Sequence, residues 1–160
     1  MKNITTCLWF DSNAEEAVNF YTSVFKNSKI GKVSRYGKEG FETHGRPAGS
    51  ILTIEFELDG QAFTALNGGP LFKFTEAVSF VVPCESQEDI DYFWERLSEG
   101  GDPKAQQCGW LKDKFGLSWQ IVPSGLGEWM RDPQSSERVM KALLSMKKLD
   151  MNALKGAAER

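Results

Sequence analysis

The strongest constraint on the fold is that the sequence repeats one order of segments twice. An apolar, strand-like run is followed by a helix-like segment and a hairpin, and the same order begins again at "AVSFVVP". When Ala17 is aligned with Ile90, Thr6 falls on Ser79 in the preceding strands. A half of this size has too few strands to be stable alone. The two copies are therefore expected to combine.

Each copy carries local signals for the same elements. In "DSNAEEAVNFYTSVF", Asn13 or the serine before it can cap a helix whose apolar residues recur at helical spacing. The pair Asp59 and Gly60 favours a tight turn between two alternating runs. The second copy turns between Asp113 and Gly116, where Asp113 is expected to hydrogen-bond its own backbone.

These signals predict an α+β fold in which the domain spans residues 1–130. Two tandem modules, about residues 1–70 and 71–130, form curved mixed sheets around a cup, with helices on the outer face. Residues 131–160 are expected to add a C-terminal helical arm, because Asp132 is an N-cap followed by proline at the first helical position. The arm is expected to pack on the body of the protein or on a partner subunit.

The charge and cysteine content exclude several classes of function. A net charge of -3 without a basic stripe argues against nucleic acid as a partner. No apolar run has the length of a membrane span, and the N-terminal segment lacks the features of a signal peptide. Three widely spaced cysteines (Cys7, Cys84 and Cys108) are typical of free thiols. The sequence predicts a cytoplasmic protein with no nucleic-acid or membrane partner.

Four blocks of the sequence resemble a known family. They are "LWFDSNAEEAVNFYTSVF", "ELDGQAFTALNGGP", "AVSFVVPCESQEDIDYFWERLSEGG" and "CGWLKDKFGLSWQIVP". In this order they resemble the PhnB-like family, also labelled 3-demethylubiquinone 3-methyltransferase-like, of the glyoxalase/bleomycin-resistance (vicinal oxygen chelate) superfamily. The resemblance extends to the tail "MKALLSMKKLDMNALKGA". It implies paired βαβββ modules, usually in a homodimer, with a pocket inside a cup-shaped sheet.

The resemblance also implies where a metal would bind. Metal-using members of the superfamily carry His, Glu or Gln ligands on the first and last strand of each module. The matching positions here are Thr6 and Ser79 on the first strands and Thr64 and Gln120 on the last strands. Hydroxyls and a single amide are poor ligands for Zn²⁺ or Fe²⁺. We therefore expect no metal and no other cofactor there, and a small-molecule ligand held by hydrogen bonds.

Strand alternation predicts which side chains face the cup and which lie in the core. Neighbouring residues of a strand point to opposite faces. If Thr64 and Gln120 face the cup, Phe63 and Trp119 must lie under the helices as core. Two further residues are ambiguous on sequence alone. Asn67 can hold a ligand oxygen at the rim or stabilise the following Gly-Gly turn, and His44 is either an exposed loop residue or a general base.

Three functions are consistent with these features. The first is a homodimeric protein that binds a small, partly aromatic molecule without metal. The second is a metal-dependent or metal-free enzyme of the lyase, isomerase or dioxygenase type, with catalytic residues that the sequence does not identify. The third is a structural or regulatory dimer whose cup is filled by its own side chains. The methyltransferase label has no support, because no glycine-rich turn links a strand to a helix.

Overall fold

The structure, a computed structural model, describes residues 4–159. The chain divides into two compact units, the first ending at Lys73 and the second beginning at Phe74. Each unit holds one sheet, of four strands in the first and three in the second. The fold is mixed α+β, as the sequence predicted.

The first unit contains one complete copy of the repeated order of elements. Its strand order is β1-β4-β3-β2, in which β1 pairs with β4 in parallel and the other pairs are antiparallel. The elements are β1 (Thr6–Phe10), α1 (Ala14–Val24), β2 (Ser28–Arg35), α2 (Phe41–His44), β3 (Ile51–Leu58) and β4 (Gln61–Asn67). This βαβββ order is the predicted module, with the short α2 inserted between β2 and β3.

One face of the first sheet is covered by α1. The helix buries the apolar residues that recur along one side, Ala17, Tyr21 and Val24 among them. From the sheet, Phe56 and Phe63 are buried beneath it, with ring centroids 5.2 Å apart. The opposite face of this sheet, which we call the open face, carries the alternate residues of each strand.

The second unit repeats the order with one strand fewer. Its strand order is β5-β7-β6, and β5 pairs with β7 in parallel. The elements are β5 (Ser79–Cys84), α3 (Gln87–Ser98), β6 (Trp110–Lys112) and β7 (Ser118–Pro123). A capping box of Ser86 and Asp89 begins α3.

The expectation of three strands after the second helix is therefore wrong. Between α3 and β6 the chain forms a short 3-10 turn, Pro103–Ala105, where the first unit has β2. Asp102 begins this turn by accepting a hydrogen bond from the N–H of Lys104. Proline has no N–H to donate to a neighbouring strand. Gly101 also passes so close to Lys112 that a Cβ atom at this position would clash with the Lys112 carbonyl oxygen.

Three helices follow β7: α4 (Leu126–Trp129), α5 (Pro133–Leu144) and α6 (Met151–Ala158). The side chain of Asp132 accepts a hydrogen bond from the N–H of Ser135, and that of Asp150 from Ala153. The N-cap predicted at Asp132 is confirmed. None of the helices within residues 4–159 combines the length and the apolar character needed to cross a membrane.

The C-terminal arm packs on the body of its own unit. The N–H groups of Cys108 and Gly109 donate to the carbonyls of Met146 and Lys147, at 2.9 and 2.8 Å. Leu149 is fully buried in a cluster with Val139 and Leu154. A Cβ atom at Gly109 would lie 3.0 Å from Leu149, so this close approach requires glycine.

Leu149→Ala is expected to lower the free energy of unfolding by about 3 kcal/mol, because it leaves a cavity where the arm meets the sheet. Leu144→Ala is the matched control, since Leu144 is 60% exposed. The control is expected to stay within about 0.5 kcal/mol of the unmodified chain. Urea unfolding followed by tryptophan fluorescence measures both, and equal effects would show that Leu149 does not anchor the arm.

Candidate functional site

Strand register shows which residues share the open face of the first sheet. Cys7 of β1 pairs with Thr64 of β4, and Thr64 pairs with Glu55 of β3. Register partners point to the same side, and neighbouring strands lie about 4.8 Å apart. The three side chains therefore form a row across the open face, which we call the open-face row.

Thr6 does not belong to this row, so its predicted place on the pocket face is wrong. It pairs with Phe63, which is 5% exposed beneath α1. The error comes from loop length. Three residues separate β1 from α1, whereas two separate β5 from α3. An alignment made through the helices is therefore one residue out of step in the strands, and the equivalent of Ser79 is Thr5, one residue before Thr6.

The second sheet brings Ser79 and Gln120 together. The Nε2 atom of Gln120 donates to the Ser79 hydroxyl at 2.9 Å, and both side chains are half-buried. Gln120 pairs with Val81 on one side and with Trp110 on the other. This face carries polar and aromatic groups next to each other, as expected for the wall of a ligand pocket.

The core positions predicted from strand alternation are confirmed. Phe63 and Trp119 are 5% and 3% exposed, whereas their neighbours Thr64 and Gln120 are only half-buried. In each unit the large aromatic side chain therefore lies on the side away from the polar one.

A cavity of about 320 Å³ lies over the open face of the first sheet. This volume is at the lower end of the range for small-molecule sites. The polar side chains that line it are Thr5, Lys29, Glu55, Glu57 and Thr64. Sequence reasoning missed the two glutamates, although "TIEFE" alternates and so places them on the polar side of β3.

The two glutamates differ in their partners. Glu57 pairs with Lys29, with 3.1 Å between its Oε2 atom and Nζ. Within residues 4–159, Glu55 makes no ion pair or hydrogen bond through its carboxylate, and it is exposed. Beside it, Gly31 lies in an irregular part of β2, and a Cβ atom there would be 3.4 Å from that of Glu55. The glycine leaves the space beside the Cβ atom of Glu55 unfilled.

Asn67 is part of the fold, and its predicted ligand role is wrong. It is 7% exposed. Its Oδ1 atom accepts from the N–H of Ala14 at 2.9 Å, and its Nδ2 atom donates to the Ile51 carbonyl at 3.1 Å. The side chain of Asn13, the N-cap residue of α1, makes no capping hydrogen bond. Asn67 caps the helix in its place, because it accepts from the first helical N–H, that of Ala14.

Asp113 is a buried carboxylate that organises the β6–β7 hairpin. Its Oδ1 atom accepts from the N–H groups of Phe115 and Leu117, at 2.8 and 3.0 Å. Its Oδ2 atom accepts from the indole of Trp119 at 2.8 Å. The carboxylate therefore stabilises the turn and fixes the core tryptophan, and it is not a candidate acid catalyst.

His44 is half-buried and held by the backbone around it. Its Nδ1 atom accepts from the N–H of Arg46 at 2.9 Å, which places the ring proton of the neutral form on Nε2, 3.2 Å from the carbonyl of Glu39. The ring lies 4.5 Å from that of Tyr36. Both readings from the sequence treated His44 as accessible, whereas both ring nitrogens are engaged locally.

The side chains present do not fit a transition metal. Within the described part of the chain, no three His, Cys, Asp or Glu side chains are grouped so that they could hold an ion. Burial raises the pKa of the Cys84 thiol to about 12, and it also raises the pKa of Cys7. Metal binding requires the thiolate, so both shifts work against it. Thr64 and Gln120 offer only a hydroxyl and an amide.

Comparisons with known proteins agree with this fold. The family model for 3-demethylubiquinone-9 3-methyltransferase matches residues 2–122. The chain belongs to this family. The PhnB protein from Bacillus cereus, which carries the same family name, is 38% identical, with a TM-score of 0.63, over 76% of this chain and 99% of that one. None of the curated proteins matches the chain.

Two fosfomycin resistance proteins share the fold at low identity. FosX from Mesorhizobium loti is 14% identical, with a TM-score of 0.56, over 82% of this chain and 98% of that one. FosX from Listeria monocytogenes, solved with Mn(II) and sulfate, is 16% identical, with a TM-score of 0.53, over 81% of this chain and 95% of that one. At this identity both likenesses concern the fold alone. The family match ends at Val122, so the helical arm lies outside it.

Asp113→Asn is expected to lower the free energy of unfolding by about 3 kcal/mol, because an amide N–H then faces the indole N–H of Trp119 in a buried site. In a Trp119→Phe background the same change is expected to cost about 1–2 kcal/mol less, since the opposing donor is gone. Urea unfolding of the four chains in this double-mutant cycle measures the difference.

The matched control is Asp102→Asn, an exposed cap that asparagine serves as well as aspartate. It is expected to leave stability unchanged. If the Asp113 and Trp119 changes are additive, the hydrogen bond between these two side chains is not what fixes the hairpin.

Proposed function

We propose that this protein binds a small, partly aromatic molecule on the open face of its first sheet, without a transition metal, as a cytoplasmic homodimer. The observation that carries the proposal is the cavity over the open-face row, with hydroxyl and carboxylate groups around it. Such a lining can orient a ligand by hydrogen bonds. Gln120 and Ser79 supply the same kind of polar group on the second sheet.

The methyl-transfer activity in the family name finds no counterpart in the connections that lead from the first strand of each unit to its long helix. The connections that contain glycine, β2 to α2 and β7 to α4, lead only to helices of four residues. A methyl-donor or dinucleotide site uses a glycine-rich turn between a strand and the helix after it. Here β1 reaches α1 through Asp11, Ser12 and Asn13, and β5 reaches α3 through Glu85 and Ser86. Neither connection contains glycine, which supports binding over methyl transfer.

The alternative is an enzyme of the superfamily, of the lyase, isomerase or dioxygenase type. The FosX structure with Mn(II) motivates it, although at 16% identity that likeness concerns the fold alone. A metal-dependent version would need ligands other than the hydroxyls and amide at the matching positions. A metal-free version would need a group in the cavity that acts on the substrate.

Support for the homodimer comes from apolar side chains at an unpaired strand edge. β5 lies at the edge of the second sheet, and Val81 on it is 55% exposed. Val78, directly before this strand, is 64% exposed. A second copy that covered them would remove this apolar surface from water. Sedimentation equilibrium showing only monomer at micromolar concentration would contradict the dimer.

A ligand screen tests the proposal. Thermal-shift measurements over small aromatic acids, alcohols and amines are expected to find compounds that raise the melting temperature. Gln120→Ala is expected to weaken a compound that contacts the second sheet by about fivefold to tenfold, because one hydrogen bond is lost. Gln134→Ala on the exposed surface of α5 is the matched control. Failure of every compound class to bind would favour the structural or regulatory dimer.

A further inference from the structure

We infer that the ligand of the first unit carries a single positive charge on a nitrogen with several N–H groups, and that Glu55 binds it. This inference rests on the proposed function and names the class of ligand. It follows from the balance of charge in the cavity over the open-face row.

The cavity contains one carboxylate more than it has cations to pair. Lys29 and Glu57 neutralise each other, with 3.1 Å between Nζ and Oε2. Glu55 lines the same cavity and has no such partner within the described residues. The net charge that these side chains present to an occupant is therefore negative. An anionic ligand would be repelled by Glu55, and a neutral one would gain no charge interaction with it.

The neighbours of Glu55 suit an ammonium or amidinium group. Thr64 is its register partner, with the two Cβ atoms about 5 Å apart. Thr5 also lines the cavity. Hydroxyl oxygens accept hydrogen bonds, so each can take an N–H that does not point at the carboxylate. A quaternary ammonium has no N–H and would gain only the charge interaction.

Gly31 supplies the space for this group. It lines the cavity beside Glu55, and a Cβ atom there would meet the Glu55 carbonyl oxygen at 3.2 Å. A contact of this length is tighter than ordinary van der Waals packing. The missing side chain thus leaves the space beside the Cβ atom of Glu55 unfilled.

Three probes of similar shape and different charge test the inference: benzylamine, benzyl alcohol and benzoate. Binding to the full chain is followed by calorimetry and by amide shifts of β3 and β4. Benzylamine, a cation at neutral pH, is expected to bind about tenfold more tightly than the alcohol, and benzoate more weakly than either. The preference is expected to shrink at high ionic strength, because the carboxylate is exposed.

Variants assign the preference to Glu55. Glu55→Gln is expected to weaken benzylamine binding about tenfold and to leave the alcohol unchanged. Lys29→Met frees a second carboxylate, so it is expected to tighten benzylamine binding. Glu15→Gln on α1, on the other side of the sheet, makes the same charge change as Glu55→Gln and is expected to have no effect.

Several results would overturn the inference. Benzyl alcohol or benzoate binding at least as tightly as benzylamine would mean that the ligand class is wrong, while small-molecule binding itself would stand. Unchanged benzylamine affinity in Glu55→Gln would remove Glu55 from the site. If none of the three probes shifts the amides of β3 or β4, the inference fails, and the broader screen decides the proposed function on its own.

Discussion

The parallel pairing of the first and last strand in each unit determines which side chains lie on the open face and which lie under the helices. β1 pairs with β4, and β5 pairs with β7, through backbone hydrogen bonds whose register is fixed by burial of one face. A shift of one residue would move Phe63 to the open face and Thr64 under α1. The buried aromatic residues of the core therefore also decide which polar groups lie on the open face.

The sequence predicted the elements well and the strand faces only in part. Duplication, helix caps and alternation were enough for the fold class and for the core positions of Phe63 and Trp119. Thr6 was misplaced because the loops before the two helices differ by one residue, which no local signal reveals. Asn67 and Ala14 are 53 residues apart along the chain, so their hydrogen bond depends on tertiary structure. Alternation in "TIEFE" places Glu55 on the polar side of β3, but Glu55 lies outside the positions that match the superfamily's ligands.

The second unit shows how a repeated module can diverge and stay folded. Among its described residues, 74–159, it has no counterpart of β2, and its hairpin is organised by the buried carboxylate of Asp113. The arm adds Leu149 to the apolar side of this unit and pairs with Gly109 through the backbone. Lys148 pairs with Asp91 of α3 at 2.6 Å and, chiefly by this hydrogen bond, lowers the pKa of that carboxyl. The arm belongs to the folded unit.

The central claim is that the positions matching the superfamily's metal ligands hold organic ligands by hydrogen bonds and do not chelate a transition metal. The direct test is elemental analysis of the purified chain after equilibration with Mn²⁺, Zn²⁺, Ni²⁺ or Fe²⁺ and removal of free ion. The account predicts that the chain retains far less than one ion per molecule, whichever ion is used. It also predicts that Thr64→Val and Gln120→Leu leave this amount unchanged. Stoichiometric retention that these two substitutions abolish would contradict it.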